Sequence, residues 1–306
     1  MKKTIALLVL LVLVSGCQTG LFQRKDTMQL PEVNIGTQGV EPLFIQGTPP
    51  REVFEGSAFT MMVNLANLGT RDVDDGIYSL SYEQQYLYIA GQKNQGRFVV
   101  RGKSIFNPQG EERLLNFAFT TKSLGPQLQG YPVTITFNAC YPYVTNAPLI
   151  VCIDTDVTGK KPGKVCTPQP QTFPRGQGAP VAVMSVETKI LPHEMPNRAR
   201  PEFVITIKNL GSGQVMASQL YREACSGRPL GEDAWNVVGV SATLSDSVLT
   251  CAPETIKMKQ QGDTRIVCTQ PEGIETRLGT YTAPLTVTLD YGYISSITTQ
   301  VNIVKQ

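Results

Sequence analysis

The 306-residue chain contains one histidine, His193, and one tryptophan, Trp235. A single histidine confines Ser-His-Asp and Cys-His chemistry to its own surroundings. It lies in Leu191-Pro192-His193-Glu194-Met195-Pro196, a proline-bounded turn. A His-Glu-x-x-His zinc helix is excluded: Asn197 stands where the second histidine belongs, and Pro196 would break the helix. No Gly-x-Ser-x-Gly surrounds a serine, and there is no Asn-x-Ser/Thr sequon. Charge of one sign is also missing. The chain has 27 basic and 25 acidic side chains, and Lys2 and Lys3 account for the difference. Residues 17–306 therefore carry no formal net charge, which argues against an electrostatic nucleic-acid binder. No run reaches 18 apolar residues, so no segment is long enough to stay in a bilayer as a spanning helix. No long window shows clean helical periodicity.

What is present begins with a targeting signal. Lys2 and Lys3 precede an apolar run over residues 5–14, which ends Leu13-Val14-Ser15-Gly16-Cys17. This resembles the lipobox of prokaryotic lipoproteins, in which small residues precede a cysteine that is acylated and becomes the new N-terminus. The resemblance implies a signal peptide over 1–16, a lipid on Cys17, and a protein held to a membrane on its extracytoplasmic side. Residues 17–27 are polar and read as a lipidated tether.

The rest is short alternating apolar runs split by Gly, Pro, Asn and Asp, the pattern of an all-β chain. Strands are expected at 40–46, 59–66, 76–82, 86–89, 97–100, 113–120, 133–141 and 149–153. A second series is expected at 181–190, 202–208, 235–244, 247–250, 265–269, 284–290 and 298–304. Between them, residues 157–179 hold four prolines and four glycines and read as an extended linker. The series repeat. Asn67-Leu68-Gly69 recurs as Asn209-Leu210-Gly211, 142 positions later. Residues 110–115 and 132–138 recur at an offset of 152, which places Tyr141 over Tyr293. The change of offset puts about ten extra residues between Gly211 and Gly262, around Trp235. At each repeat the closing glycine is expected to supply the positive φ of a tight turn.

An alternating strand ending in Asn-Leu-Gly, a polar middle and a proline-led closing pair is similar to the Ig-like domains of prokaryotic surface proteins, in the style of the CARDB cell-adhesion class. The resemblance implies two tandem antiparallel β-sandwiches, over residues 28–156 and 180–306. It further implies a stalk, spacer or adhesion module rather than an enzyme, with no cofactor. Partners are expected to be an envelope or cell-surface protein, or a glycan, besides the membrane.

Candidate site residues are few. Tyr78, Tyr82, Tyr86 and Tyr88 could stack on sugars if one face is exposed; if buried, they are cross-strand core pairs. That face is the basis of an alternative reading, a carbohydrate-binding surface protein. Asp72, Asp74 and Asp75 form an acidic turn that could take up Ca²⁺, although a polar inter-strand turn is the plainer reading. The run Asp154-Thr155-Asp156 opens like a Ca²⁺ loop but has Val165 where the bidentate glutamate belongs. Lys160, Lys161 and Lys164, nearly offset by Asp154 and Asp156, read as solvated linker. Apart from Cys17, six cysteines remain, an even number in an exported chain, and they admit 15 pairings. Chain order favours Cys140–Cys152 and Cys251–Cys268 as hairpin cross-links, leaving Cys166–Cys225 to tie the linker to the second domain.

Overall fold

The computed structural model describes residues 33–306 apart from Gln92, Lys160, Gln260 and Gln261. The signal peptide, Cys17 and the tether lie outside the described residues. Among the described residues, nineteen strands, numbered in chain order, form three sheets. A four-stranded sheet runs β1 (Val40–Phe44), β3 (Ala58–Asn67), β7 (Glu112–Thr121), β5 (Leu87–Ile89). A six-stranded sheet runs β15 (Thr250–Ala252), β17 (Thr264–Thr269), β11 (Arg198–Asn209), β10 (Val181–Pro192), β9 (Gln171–Thr172), with β18 (Ile274–Glu275) on β11. The nine-stranded sheet runs β14 (Ser247–Val248), β13 (Val237–Leu244), β19 (Thr280–Val304), β8 (Gly130–Asp154), β4 (Val73–Tyr82), β6 (Gln95–Val100). Its short additions are β2 (Glu52–Phe54) and β12 (Gln214–Met216) on β19, and β16 (Thr255–Lys257) on β13.

The all-β expectation holds. Two tandem sandwiches with separate cores do not describe the result, because residues Glu32–Gln306 form one compact unit. The reason is the pair β8 and β19. Each is 25 residues long, and they are antiparallel over their whole length, from Gly130 opposite Val304 to Asp154 opposite Thr280. The expected strands 133–141 and 149–153 are one strand, as are 284–290 and 298–304. Along β8 the odd-numbered residues from Val133 to Ile153 are buried, a period of two carried through both halves. That face meets the four-stranded sheet, where Phe137 packs on Phe117, and then the six-stranded sheet, where Thr145 Oγ1 donates to Val181 O at 2.6 Å. The two small sheets thus sit side by side on one face of the long sheet, over one continuous core.

Each half is closed by the other's strand. β4 of the first half, with β6 on its far side, lies beside residues 135–140 of β8, whose other neighbour is the C-terminal part of β19. β13 of the second half lies beside residues 285–290 of β19, whose other neighbour is the C-terminal part of β8. Val301 and Ile303, near the end of the chain, are fully buried with the first half's core.

The segment 157–179 is not a free linker. β9 pairs with β10, and the buried Gln177 exchanges two 2.9 Å hydrogen bonds with the backbone of Val183. The disulfides follow this topology. Cys251–Cys268 forms as expected, across directly opposed residues of β15 and β17. Cys140 and Cys152 are on one extended strand and about 40 Å apart at roughly 3.3 Å per residue, so they cannot bond to each other. Instead Cys152 pairs with Cys166, and Cys140 pairs with Cys225. Cys225 ends the short helix α1 (Tyr221–Cys225), inside the insertion between β12 and β13. The insertion lies on the opposite face of the long sheet, where Cys140, Met216, Tyr221, Cys225 and Ile294 form a second small core.

Candidate functional site

The two halves meet at four tyrosines. In β8 and β19 the register sets Tyr141 opposite Tyr293 and Tyr143 opposite Tyr291, with Pro142 and Gly292 between them. All four rings are buried, with neighbouring centroids 5.7–6.3 Å apart. Burial raises every one of these hydroxyls above the ordinary tyrosine value, Tyr143 to about 12. Each therefore stays protonated and able to donate.

The hydroxyls hold the loops of both halves in equivalent ways. Val40 N donates to Tyr141 Oη at 2.9 Å and Val181 N to Tyr291 Oη at 3.2 Å. Arg71 N donates to Tyr143 Oη at 3.2 Å and Gly213 N to Tyr293 Oη at 2.7 Å. Val40 and Val181 in turn pair with Asn67 and Asn209, the asparagines of the repeated turn. Tyr141 is thus the counterpart of Tyr291, not of Tyr293, two residues from the sequence alignment. A one-residue correction applies in β7 and β17: Leu115, opposite Val63, corresponds to Ile266, opposite Ile205. That single step decides which face is inward.

The repeated glycines have a different job from the one expected. Neither Gly69 nor Gly211 is among the positive-φ residues. They are glycines because a Cβ would collide with a tyrosine hydroxyl, Tyr143 at Gly69 and Tyr293 at Gly211. At Gly69 that Cβ would also lie 2.9 Å from Gln38 O and Gly178 O. The asparagines close each turn, with Asn67 Oδ1 accepting from Gly69 N at 3.1 Å and Asn209 Oδ1 from Gly211 N at 3.2 Å.

Beside Arg71, whose N–H binds Tyr143, the turn after Gly69, residues 144–148 of β8 and the returning segment 172–177 border a cleft of ≈ 540 Å³. Thr70, Arg71, Asn146, Phe173 and Arg175 line it. On the other side of Thr70 and Arg71 is an open hollow of ≈ 790 Å³ with Asp72, Asp74, Arg101, Lys103 and Asn107. Mixed polar and apolar walls of this size suit a peptide or a small polar ligand.

The sequence-derived candidates are placed elsewhere or already engaged. Tyr78 packs on Phe117 and Phe137, Tyr82 on Phe119 and Tyr86 on Tyr131, all against the core. Only Tyr88 of the four is exposed, at 46%. The sugar-stacking face is therefore absent, because the inward face of β4 must fill the space under β7. The acidic turn is split: Arg101 binds Asp72 at 3.0 Å and Asp74 at 2.8 Å, while Asp75 binds Arg222 and accepts from Tyr221 Oη at 2.9 Å. These carboxylates neutralise arginines instead of converging on one cation. Among the described residues, no three His, Cys, Asp or Glu side chains are grouped to hold a metal. Asp154 and Asp156 face Lys164 Nζ at 2.6 and 3.6 Å. Burial acts to raise Asp154, but hydrogen bonds from Lys164, Asp156 N and Thr280 outweigh it and hold its pKa low. Asp156 is lowered to about 2, chiefly by the Lys161 N–H. Both ring nitrogens of His193 are used: Nδ1 accepts from Met195 N and Nε2 donates to Pro271 O, each at 3.0 Å.

Residues 1–18 match the profile of the prokaryotic membrane lipoprotein lipid attachment site. The chain is accordingly a membrane-anchored lipoprotein of the cell envelope. No curated protein matches it. A solved structure of the serine-rich repeat adhesion glycoprotein of Streptococcus agalactiae overlays on 90% of each chain, with 11% identity and a TM-score of 0.18. An overlay that loose does not bear on fold or role.

Proposed function

We propose that this lipoprotein is a non-enzymatic surface module, a structural or adhesion element that binds an envelope or cell-surface protein through the cleft at its waist. The observation that carries the reading is the cleft's construction. Its walls are the turn after Gly69, residues 144–148 of β8 and the segment 172–177, so residues of the first half and of the segment leading into the second line it together. Backbone hydrogen bonds hold this lining, Thr70 N to Gly178 O and Phe173 N to Met184 O, both at 2.8 Å, and a preformed recess keeps the ordering cost of binding low. The cleft's own lining supports the same reading, since among the described residues it holds Arg71 and Arg175 but no carboxylate, histidine or cysteine.

The test uses labelled mature chain, residues 17–306, and isolated envelopes. Saturable binding is expected, weakened about ten-fold or more by Arg71→Ala or Asn146→Ala, a loss of roughly 1.4 kcal/mol or more per side chain, while disulfide maps stay unchanged. Binding untouched by both substitutions would remove the cleft from the reading. Reproducible turnover in a broad hydrolase screen, abolished by one side-chain change, would overturn the non-enzymatic assignment.

A further inference from the structure

The loop between β6 and β7 carries the most exposed large apolar side chain among the described residues. Phe106 is 92% exposed and its neighbour Ile105 is 51% exposed. The loop is closed on itself. Ser104 N donates to Asn107 O at 3.0 Å, and Asn107 N donates to Ser104 O at 3.1 Å and to Ser104 Oγ at 3.0 Å. Its base is pinned to the waist by Lys103 N donating to Gly69 O at 2.7 Å. Two large apolar side chains are thus held outward on a tight turn, where collapse onto the protein surface would have hidden them from water.

The second observation is where the chain arrives from its anchor. Gly36 N donates to Arg175 O and Gly36 O accepts from Gly178 N, both at 2.9 Å. A Cβ on Gly36 would lie 3.5 Å from Lys103 Nζ. The first described residues therefore pass beside the base of the Ile105–Phe106 turn. Fifteen residues, 18–32, separate them from the lipid-bearing position. They span at most about 55 Å when fully extended. The lipid and the apolar tip are held within one tether length, so a contact too weak to recruit the free protein would still form at millimolar effective concentration. Around the loop, Arg71, Arg101, Lys103 and Arg113 equal in number Asp72, Asp74, Glu111 and Glu112, and Arg101 is bound to both aspartates. The flank is near neutral, which favours an apolar contact over attraction to lipid charge.

We propose that Ile105 and Phe106 insert into the interfacial layer of the bilayer that holds Cys17, laying the waist of the protein against the membrane. The proposal rests on anchoring through Cys17 and not on the adhesion reading, so either can fail alone.

The natively lipidated chain carrying Phe106→Trp is reconstituted into phosphatidylcholine vesicles with bromine-labelled acyl chains. Its comparison is Val248→Trp, at a 75% exposed site on β14 in the other half, with the signal of Trp235 subtracted as background. Quenching of Phe106→Trp is expected to exceed that of Val248→Trp at least about three-fold, consistent with a side chain in the interface. It should persist when anionic lipid is added and should fall on Ile105→Ser. Separately, Ile105→Ser with Phe106→Ser should speed rotational depolarisation of a dye on the anchored body. Equal quenching of the two tryptophans, with both variants showing wild-type disulfides, overturns the contact. Quenching of Phe106→Trp that weakens as surface density rises and the protein self-associates would assign the tip to a second copy, and also overturns it.

Discussion

A tyrosine hydroxyl is the smallest unit on which this structure depends. Tyr143 Oη donates to Gly178 O at 3.2 Å and accepts from Arg71 N, so it bonds one loop from each half. Tyr143→Phe keeps the ring and strands Arg71 N, while Gly178 O keeps its bond from Thr70 N at 2.8 Å. The expected cost is about 1–3 kcal/mol in chemical denaturation. Gly69→Ala should be at least as damaging, because the new methyl meets backbone oxygens as well as that hydroxyl. The same burial sets an alkaline limit. Free tyrosine ionises near pH 10, whereas the folded value of Tyr143 is about 12. Above pH about 10 the unfolded chain releases protons that the folded chain retains, so stability is intact below that pH and is lost as pH rises toward 12. Tyrosinate absorbance and loss of β-sheet signal are expected to rise together in that window. In sequence, Tyr141-Pro142-Tyr143 and Tyr291-Gly292-Tyr293 were a visible pair of Tyr-x-Tyr signals. An alignment two residues out of register hid their equivalence, and with it the reason for Gly69 and Gly211.

At the scale of elements, short alternating strands were legible and long ones were not. Strands usually run to five or six residues, and Thr145-Asn146, between Cys140 and Cys152, read as a turn inside β8. The physical explanation is that β8 has neighbours on both sides only over residues 135–140, where β4 lies beside it. Pro142 and Pro148 fall beyond that stretch, where among the described residues β19 is the one pairing partner and a missing N–H costs no ladder bond. Pro284 likewise sits just outside the 285–290 segment paired with β13. The insertion holding α1 was visible as extra length, but its landing place was not, since nothing local in residues 217–236 points to Cys140. It closes the longest covalent loop, 85 residues, against 14 for Cys152–Cys166 and 17 for Cys251–Cys268. Loop-closure entropy then assigns about 4.5 kcal/mol to the long bridge and about 3 kcal/mol to each short one. Replacing Cys140 and Cys225 with serine should lower the denaturation midpoint more than replacing Cys152 and Cys166.

At the scale of the molecule, the exchange of strands makes the two halves one cooperative body. A fragment of residues 33–156 contains every strand of the first half except the end of β19. It leaves Val133, Ile135 and Phe137 next to an open edge and lacks Val301 and Ile303. It is expected to be protease-sensitive and aggregation-prone, whereas residues 33–306 should give a single unfolding transition by circular dichroism. A stable, monomeric 33–156 fragment would return the protein to two independent sandwiches. The sequence repeat was real, but repetition does not reveal which copy of a strand completes which core.

The interlocking also sets a clock. Glu52 in β2 finds its partner, Asn302, 250 positions later, and the first half cannot close before that partner arrives. At translation rates of about 5–20 residues per second, this is a delay on the order of tens of seconds. Throughout that time the early strands have no finished state to fall into, so a chain moving toward its membrane remains threadable until its C-terminal strand is made. Folding is timed by the arrival of β19, and commitment to the final shape waits for that one strand.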